Sequence, residues 1–232
     1  MNSRALETRN LKLETLPEVD ERTTGIILRT RLLTETSVIV QWLTPDLGRI
    51  ATVAKGARRP KSPFRGKLDL FYEADFSFSR SRKSELHNLR EVVLRETRAG
   101  LRRNLGWLQQ ASYFTTLIEH TTETDTPLPK VFSLICECLE ALTATAPSPR
   151  TVFAFELKLL EELGLMPDLS AAGIGAGTRQ SAETLKRSEW GMIARLKLSE
   201  AQTRELRQFL HGFMIYHLGR IPPSRTAALN AA

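Results

Sequence analysis

The residues with the clearest potential for binding chemistry form a basic run between positions 49 and 67 of this 232-residue chain. The run has no aspartate or glutamate, and its cations are Arg49, Lys55, Arg58, Arg59, Lys61, Arg65 and Lys67. Glycines and prolines interrupt it, so it cannot be one face of a helix. A basic loop of this kind can follow a phosphate backbone, with each cation displacing condensed counterions. The run predicts a nucleic-acid contact, and a loop that only promotes solubility is the alternative.

A second basic group follows in a predicted turn at Arg80, Arg82 and Lys83, and we predict that it extends the same contact. Further arginines, from position 90 to position 103, alternate with glutamates. For these later arginines, contact with DNA and structural ion pairing are equally good interpretations.

Aromatic side chains on a barrel surface can stack on bases, which contributes roughly 1–3 kcal/mol per base. The candidates are Trp42, Phe64, Phe71, Tyr72, Phe76 and Phe78. Phe76 and Phe78 alternate onto one face of a predicted strand, which favours a place in the core. Phe64 lies inside the basic run and is the better candidate for base stacking.

Five short segments between residues 23 and 97 have the β-branched and aromatic composition of strands, with turn signals between them. They are Ile26–Arg31, Ser37–Leu43, Arg49–Ala54, Phe71–Phe78 and Leu86–Val93. Five strands in about 70 residues indicate a small barrel such as the OB-fold, which binds oligonucleotides on its face and loops.

From residue 98 onward, apolar residues recur at helical spacing, and prolines separate the segments. The pattern predicts an α+β protein, with an N-terminal five-stranded OB-fold barrel (23–97) followed by a C-terminal α-helical bundle domain (98–232). Ser199 and Gln202 match a capping box that begins a helix ending at Gly219. We expect a flexible tail at residues 1–22 and a loop at residues 168–181. The segment after Pro223 is expected to be a loose end.

The overall composition limits the class of protein. The formal net charge of +7 favours polyanionic partners. The chain has no apolar run of about 18 residues and no apolar stretch near its start, so we expect a cytoplasmic, nucleoid-associated protein without a membrane contact. Cys136 and Cys138 lie two positions apart in a predicted helix and face different ways, so we expect two buried thiols.

No catalytic site is expected. The four histidines are scattered, and neither a zinc-protease motif nor a nucleophile elbow occurs. Gly173, Gly175 and Gly177 resemble part of a phosphate loop but lack the following lysine and hydroxyl residue. We therefore predict a binding protein rather than an enzyme.

Several segments resemble the RecO family. The most specific is Leu47–Arg49 followed by Val53–Ser62, which carries the basic string. The other similar segments are Gly25–Val38, Phe155–Leu160, Leu163–Leu169 and Tyr216–Arg220 with Ser224 and Arg225. The resemblance therefore covers most of the chain from 23 to 225.

The resemblance implies an OB-fold, a helical domain and binding of single- and double-stranded DNA. It also implies annealing of complementary strands, recognition of the C-terminal tail of SSB (single-stranded DNA-binding protein), and loading of RecA together with RecR. Lys130, Arg150 and Lys158 are the candidates for the rim of a groove for the SSB tail.

Many members of the family carry a zinc ribbon with four cysteines after the third helix. Here residues 168–195, where that ribbon would lie, have no cysteine, so neither zinc nor another cofactor is expected. Three alternative functions stay open: an adaptor that docks partners with incidental DNA affinity, an RNA-binding OB protein, and a magnesium-dependent nuclease.

Overall fold

A computed structural model describes residues 20–170 and 173–231 of the chain. Five strands form a closed barrel in the order β1-β2-β3-β5-β4, with β3 and β5 parallel and the other neighbours antiparallel. The strands are β1 (Asp20–Leu32), β2 (Val38–Thr44), β3 (Gly48–Ala54), β4 (Glu73–Ser79) and β5 (Leu86–Glu96). The prediction of a five-stranded OB-type barrel followed by a helical domain is confirmed.

The barrel closes because alternate residues of its strands point inward and are apolar. Trp42 stacks on Phe76 with their ring centroids 4.1 Å apart, and its indole nitrogen donates to the Thr52 hydroxyl at 2.8 Å. Phe78 lies 5.8 Å from Phe76, so both phenylalanines belong to the core as their alternation predicts.

A short 3₁₀ turn (Ala99–Arg103) leads from the barrel into the helices. The helices are α1 (Leu105–Thr121), α2 (Pro129–Leu142), α3 (Pro149–Glu162), α4 (Ala176–Arg187), α5 (Trp190–Ile193), α6 (Glu200–Leu218) and α7 (Ser224–Leu229). The capping box of Ser199 and Gln202 begins α6, and Gly219 ends it with φ 73°. None of the described helices is both long and apolar enough to cross a membrane.

The structure differs from the sequence-based prediction at three places. The strand β1 begins at Asp20, so residues 20–22 are not part of a tail, and residues 1–19 lie outside the described residues. Helix α4 begins at Ala176 inside the predicted loop, because Thr178, Ala182 and Leu185 are buried against α3 and α6. Tertiary packing thus outweighs the low helix propensity of this small, polar segment.

The third difference is the C-terminal segment, for which the sequence predicts a loose end and which forms α7 in the structure. Arg225 is 5% exposed and its guanidinium donates two hydrogen bonds, of 2.7 and 2.9 Å, to the buried Glu156 carboxylate. The Tyr113 hydroxyl donates to the same carboxylate at 2.6 Å. A buried carboxylate requires such partners, so α7 is fixed to α1 and α3.

The barrel and the helices meet in a hydrophobic cluster that is separate from the core inside the barrel. Ile26, Leu28, Leu43 and Phe71 of the barrel pack in the same cluster as the buried faces of the helices. The outer surface of β1 and β2 is therefore partly covered by the helical domain. The end of the barrel where β3 leads into the basic run is not part of this contact with the helices.

Candidate nucleic-acid interface

The basic loop, residues 55–67, connects β3 to β4 and is ordered by its own backbone. Four backbone amides of the loop each donate a hydrogen bond of 3.0–3.2 Å to the carbonyl three residues earlier. They belong to Arg59, Ser62, Arg65 and Lys67. The loop is therefore a series of turns. Gly56 has φ 66°, a left-handed backbone conformation that favours glycine in the turn that begins the loop.

Two anchors fix the loop to the barrel. The Arg58 amide donates to the Thr36 carbonyl at 3.1 Å, and its guanidinium donates to the Glu35 carbonyl at 3.1 Å, which joins the loop to the turn between β1 and β2. Phe64 is 7% exposed and packs in the barrel core. Part of it lines the larger cavity beside the loop, so most of the ring is held in the core, and stacking of Phe64 on DNA stays an untested prediction.

The loop places five cations on the surface. Their side chains are exposed and belong to Lys55, Arg58, Arg59, Lys61 and Arg65. Lys67 differs, because it is half-buried and its Nζ donates to the Val92 carbonyl at 2.9 Å. The surface of the loop can thus neutralise about five phosphates.

Arg49, the first cation of the run, lies away from the loop. Its guanidinium donates to the Thr122 carbonyl at 2.6 and 3.2 Å and to the Thr122 hydroxyl at 2.8 Å. Burial lowers the pKa of Arg49, and the charges of Glu119 and Glu123 oppose that shift. The structure gives Arg49 the role of tying β3 to the end of α1, and its contact with DNA stays an untested prediction.

The cation Arg80 also has structural partners. It donates to both carboxylate oxygens of Glu21, at 2.8 and 3.2 Å, and to Asp125 at 3.1 Å. The hydrogen bond to Glu21 raises the pKa of Arg80. This arginine links the start of β1 to the segment between α1 and α2, and its charge is largely balanced.

Arg82 and Lys83 are exposed in the turn between β4 and β5. The strands β3 and β5 run parallel, and Ala51 of β3 pairs with Leu86 of β5. The turn comes just before β5 and the basic loop comes just after β3, so the two lie at opposite ends of the barrel. The separation is on the order of 20 Å along the strands. The two basic groups therefore do not form one compact patch.

Several arginines that follow the turn have carboxylate partners. The ion pairs are Arg95–Asp75 at 2.8 Å, Arg98–Glu73 at 2.6 Å and Arg102–Asp69 at 2.7 Å. The first of these pairs is within the barrel, and Arg98 is buried where β5 leads into the helices. These three contacts support structural pairing.

Two open cavities, of about 600 and 450 Å³, adjoin the basic loop, and Arg59 lines both. Tyr72 lines the larger cavity. Leu33 lines the smaller one and is 47% exposed. Leu33 is not among the residues predicted from the sequence to contact DNA, although an apolar residue just after a strand and before a polar turn is a signal for an exposed apolar contact.

A third cavity, of about 350 Å³, lies between α2, α3 and α4. Lys130 and Lys158 line it and Arg150 does not, so the structure separates the three residues predicted for the SSB-tail groove. The Lys130 ammonium lies 3.5 Å from the Glu162 carboxylate. Nζ of Lys158 donates to the Lys186 carbonyl at 2.8 Å, and burial lowers the pKa of Lys158. Three carboxylates share the wall: Glu137, Glu161 and Glu162. The groove is thus mixed in charge.

Within residues 20–170 and 173–231, no three histidine, cysteine, aspartate or glutamate side chains gather as a metal site requires. Cys138 is buried, and Cys136 is half-buried with its Sγ 3.7 Å from the Glu73 carboxylate. Burial is the main cause that raises the pKa of Cys136 to about 12, which keeps it a thiol.

Comparison with known proteins gives two matches that together cover most of the chain. Residues 19–98 match the family described as Recombination protein O N terminal, and residues 103–182 match the family described as Recombination protein O C terminal. The first match ends two residues after β5, and the second covers α1 to α3 and the first half of α4.

Individual relatives extend this comparison, and each bears the name DNA repair protein RecO. The protein of Alkaliphilus metalliredigens is 30% identical over 74% of this chain and 70% of its own length. That of Exiguobacterium sibiricum is 25% identical over 87% and 82%, and that of Rhodopirellula baltica is 34% identical over 62% and 53%. The chain thus spans about half the length of the last of these.

All three relatives are named as DNA repair proteins. Both domain matches and the barrel with its basic loop lead to the same assignment. The chain belongs to the RecO family of DNA repair proteins.

Proposed function

We propose that this protein binds DNA through the basic loop and anneals complementary single strands without nucleotide hydrolysis. The observation that carries the proposal is the group of five exposed cations on an ordered loop that contains no acidic residue. Four of these cations, all but Lys61, line two open cavities, so a strand bound to the loop would also have surface for its bases.

The proposed mechanism is neutralisation of charge. Two strands repel each other through their phosphates, and the loop cations replace condensed counterions on both strands when they meet. Stacking in the new duplex, about 1.4 kcal/mol per base-pair step, then supplies the driving free energy. The protein has only to hold the strands close and release the duplex.

The family resemblance supplies the proposed partners. We propose that the protein acts on SSB-coated DNA, recognises the SSB tail through its helical domain, and helps RecR to load RecA. Lys130 and Lys158 support the α2–α3–α4 groove as a site for the tail, although nearby carboxylates reduce its attraction for an acidic peptide. Work on chromosomal DNA would place the protein at the nucleoid.

We also propose that the protein needs no zinc. Helix α4 lies in the segment where the family's ribbon is expected, and its buried residues pack on α3 and α6. Lys186 and Arg187 near its end lie 3.2 and 3.3 Å from Glu183, so α4 has both apolar and ionic support. Treatment with a strong chelator should leave its thermal unfolding midpoint unchanged.

A strand-annealing assay tests the central proposal. Labelled complementary oligonucleotides, bare or coated with SSB, are mixed with wild type or with the triple variant Arg58→Ala, Arg59→Ala, Lys61→Ala, without nucleotide. The proposal expects fast annealing by wild type and at least a tenfold loss in the variant. If wild type does not accelerate annealing on either substrate, the annealing function is refuted and the adaptor function remains.

Competition between DNA and RNA oligonucleotides of the same sequence tests the remaining binding alternative. An RNA-binding protein would prefer RNA, because only RNA offers the 2′-hydroxyl group. Equal or better competition by DNA supports the proposed function.

A further inference from the structure

The larger cavity beside the basic loop has the build of a site for an aromatic, anionic ligand. It measures about 600 Å³, which lies within the usual range for small-ligand sites. Val38, Leu68 and Tyr72 give it apolar wall area. Three arginines of the loop stand at the same cavity: Arg58, Arg59 and Arg65.

The Tyr72 ring is held in place by its neighbours. The Arg102 guanidinium lies over the ring, 5.2 Å from its centroid, and Asp69 fixes that guanidinium through an ion pair of 2.7 Å. The Tyr72 amide donates to the Asp69 carbonyl at 3.3 Å, and its carbonyl accepts from the Ile27 amide at 2.9 Å. A ring fixed in this way loses little entropy when a ligand stacks on it.

Two of the three loop arginines have a side-chain hydrogen bond to the backbone. Arg58 donates one hydrogen bond to the Glu35 carbonyl, and Arg65 donates one to the Pro60 carbonyl at 3.4 Å. A guanidinium has five N–H donors, so each of these contacts orients the group and uses a small part of its capacity. The one carboxylate at the cavity, that of Asp69, is paired with Arg102, which leaves the cavity positive.

We propose that this cavity binds one unstacked nucleobase of a single DNA strand, stacked against Tyr72, with the flanking phosphates on Arg58, Arg59 and Arg65. The inference rests on the proposed DNA-binding function and adds a base-binding site to it. A base in a duplex is paired and stacked, so it cannot enter. The cavity therefore gives the protein a preference for single strands that phosphate contacts alone do not provide.

The first test needs no mutation. Fluorescence anisotropy compares a labelled single strand with an abasic oligomer of the same length, which has the same phosphates and no bases. Wild type should bind the normal strand about tenfold more tightly than the abasic one. Equal affinity for the two overturns the inference, although the proposed function survives if annealing still depends on the loop cations.

The second test assigns the effect to Tyr72. The variant Tyr72→Leu should lose the preference for the normal strand and keep its affinity for duplex DNA, whereas Tyr72→Phe should keep both. Tyr216→Leu, which removes an 84% exposed tyrosine from α6, serves as the matched control and should behave as wild type. An unchanged preference in Tyr72→Leu overturns the role of this ring, and matching unfolding midpoints verify that the variants are folded.

Discussion

Removal of three loop cations should change the salt dependence of DNA binding by a predictable amount. The run from 49 to 67 has seven cations, but Arg49 donates to Thr122 and Lys67 to Val92, so the structure leaves five for phosphates. With a slope of about −0.7 per phosphate on a single strand, the logarithm of affinity should fall with the logarithm of salt at about −3.5. The affinity of wild type should then drop about 130-fold between 50 and 200 mM salt.

In the variant Arg58→Ala, Arg59→Ala, Lys61→Ala, two exposed loop cations remain, so the slope should be about −1.4 and the drop about 7-fold. Anisotropy titrations of a labelled single strand at several salt concentrations measure both slopes. The reasoning is refuted if the slope of the variant lies within about 0.5 of the wild-type slope.

A matched control separates the place of the charge from its amount. The variant Arg29→Ala, Arg95→Ala, Arg187→Ala also removes three formal charges, but each of these arginines is paired with a carboxylate outside the loop. We expect a slope close to that of wild type. An equal loss of slope in both variants would show that net charge, and not the loop, determines binding.

Three further predictions concern the stability of the fold. Gly48→Ala should lower the free energy of unfolding by more than about 2 kcal/mol, because Gly48 has φ 70° and a Cβ there would lie 2.0 Å from the Thr126 carbonyl oxygen. Arg225→Met should cost about 3–5 kcal/mol in denaturant titrations, since it leaves the Glu156 carboxylate without its cation. Burial lowers the pKa of His87, so the free energy of unfolding should decrease as the pH falls below about 6.5. The slope should be at most about 1.4 kcal/mol per pH unit, and the variant His87→Asn should flatten it.

The direction of the pH effect follows from linkage. The unfolded chain binds a proton at His87 near the ordinary pKa, while the folded chain resists it, so acid favours unfolding. The Nδ1 atom accepts from the Ser81 amide at 3.3 Å, and the asparagine oxygen can take that bond without titrating. A pH profile of His87→Asn that matches wild type would assign the pH dependence of stability to other groups.

For the other two variants, Gly48→Ala and Arg225→Met, an unfolding midpoint equal to that of wild type would contradict the contacts of Gly48 with Thr126 and of Arg225 with Glu156.

Much of the fold follows from local patterns in the sequence. The alternation of residues in β4 places Phe76 and Phe78 inside the barrel, and the capping box at Ser199 begins α6 where the sequence predicts it. Both signals depend on residues a few positions apart, so they need no knowledge of the rest of the chain. Helix α4 has no such signal, because its stability comes from the burial of Leu185 and its neighbours against α3 and α6.

The candidate DNA-binding site also has features that follow from the sequence and features that depend on the tertiary structure. The sequence by itself determines that a basic loop joins two strands of a small barrel, because the cations, glycines and prolines of that loop are contiguous. Only the tertiary structure decides which cations are exposed, since the partners of Arg49 and Lys67 lie 73 and 25 residues away along the chain. It also decides that Phe64 is in the core and that Tyr72 lines the cavity. The physical reason is that burial and pairing depend on distances in space, and contacts between residues far apart in the chain leave no periodic trace in the sequence.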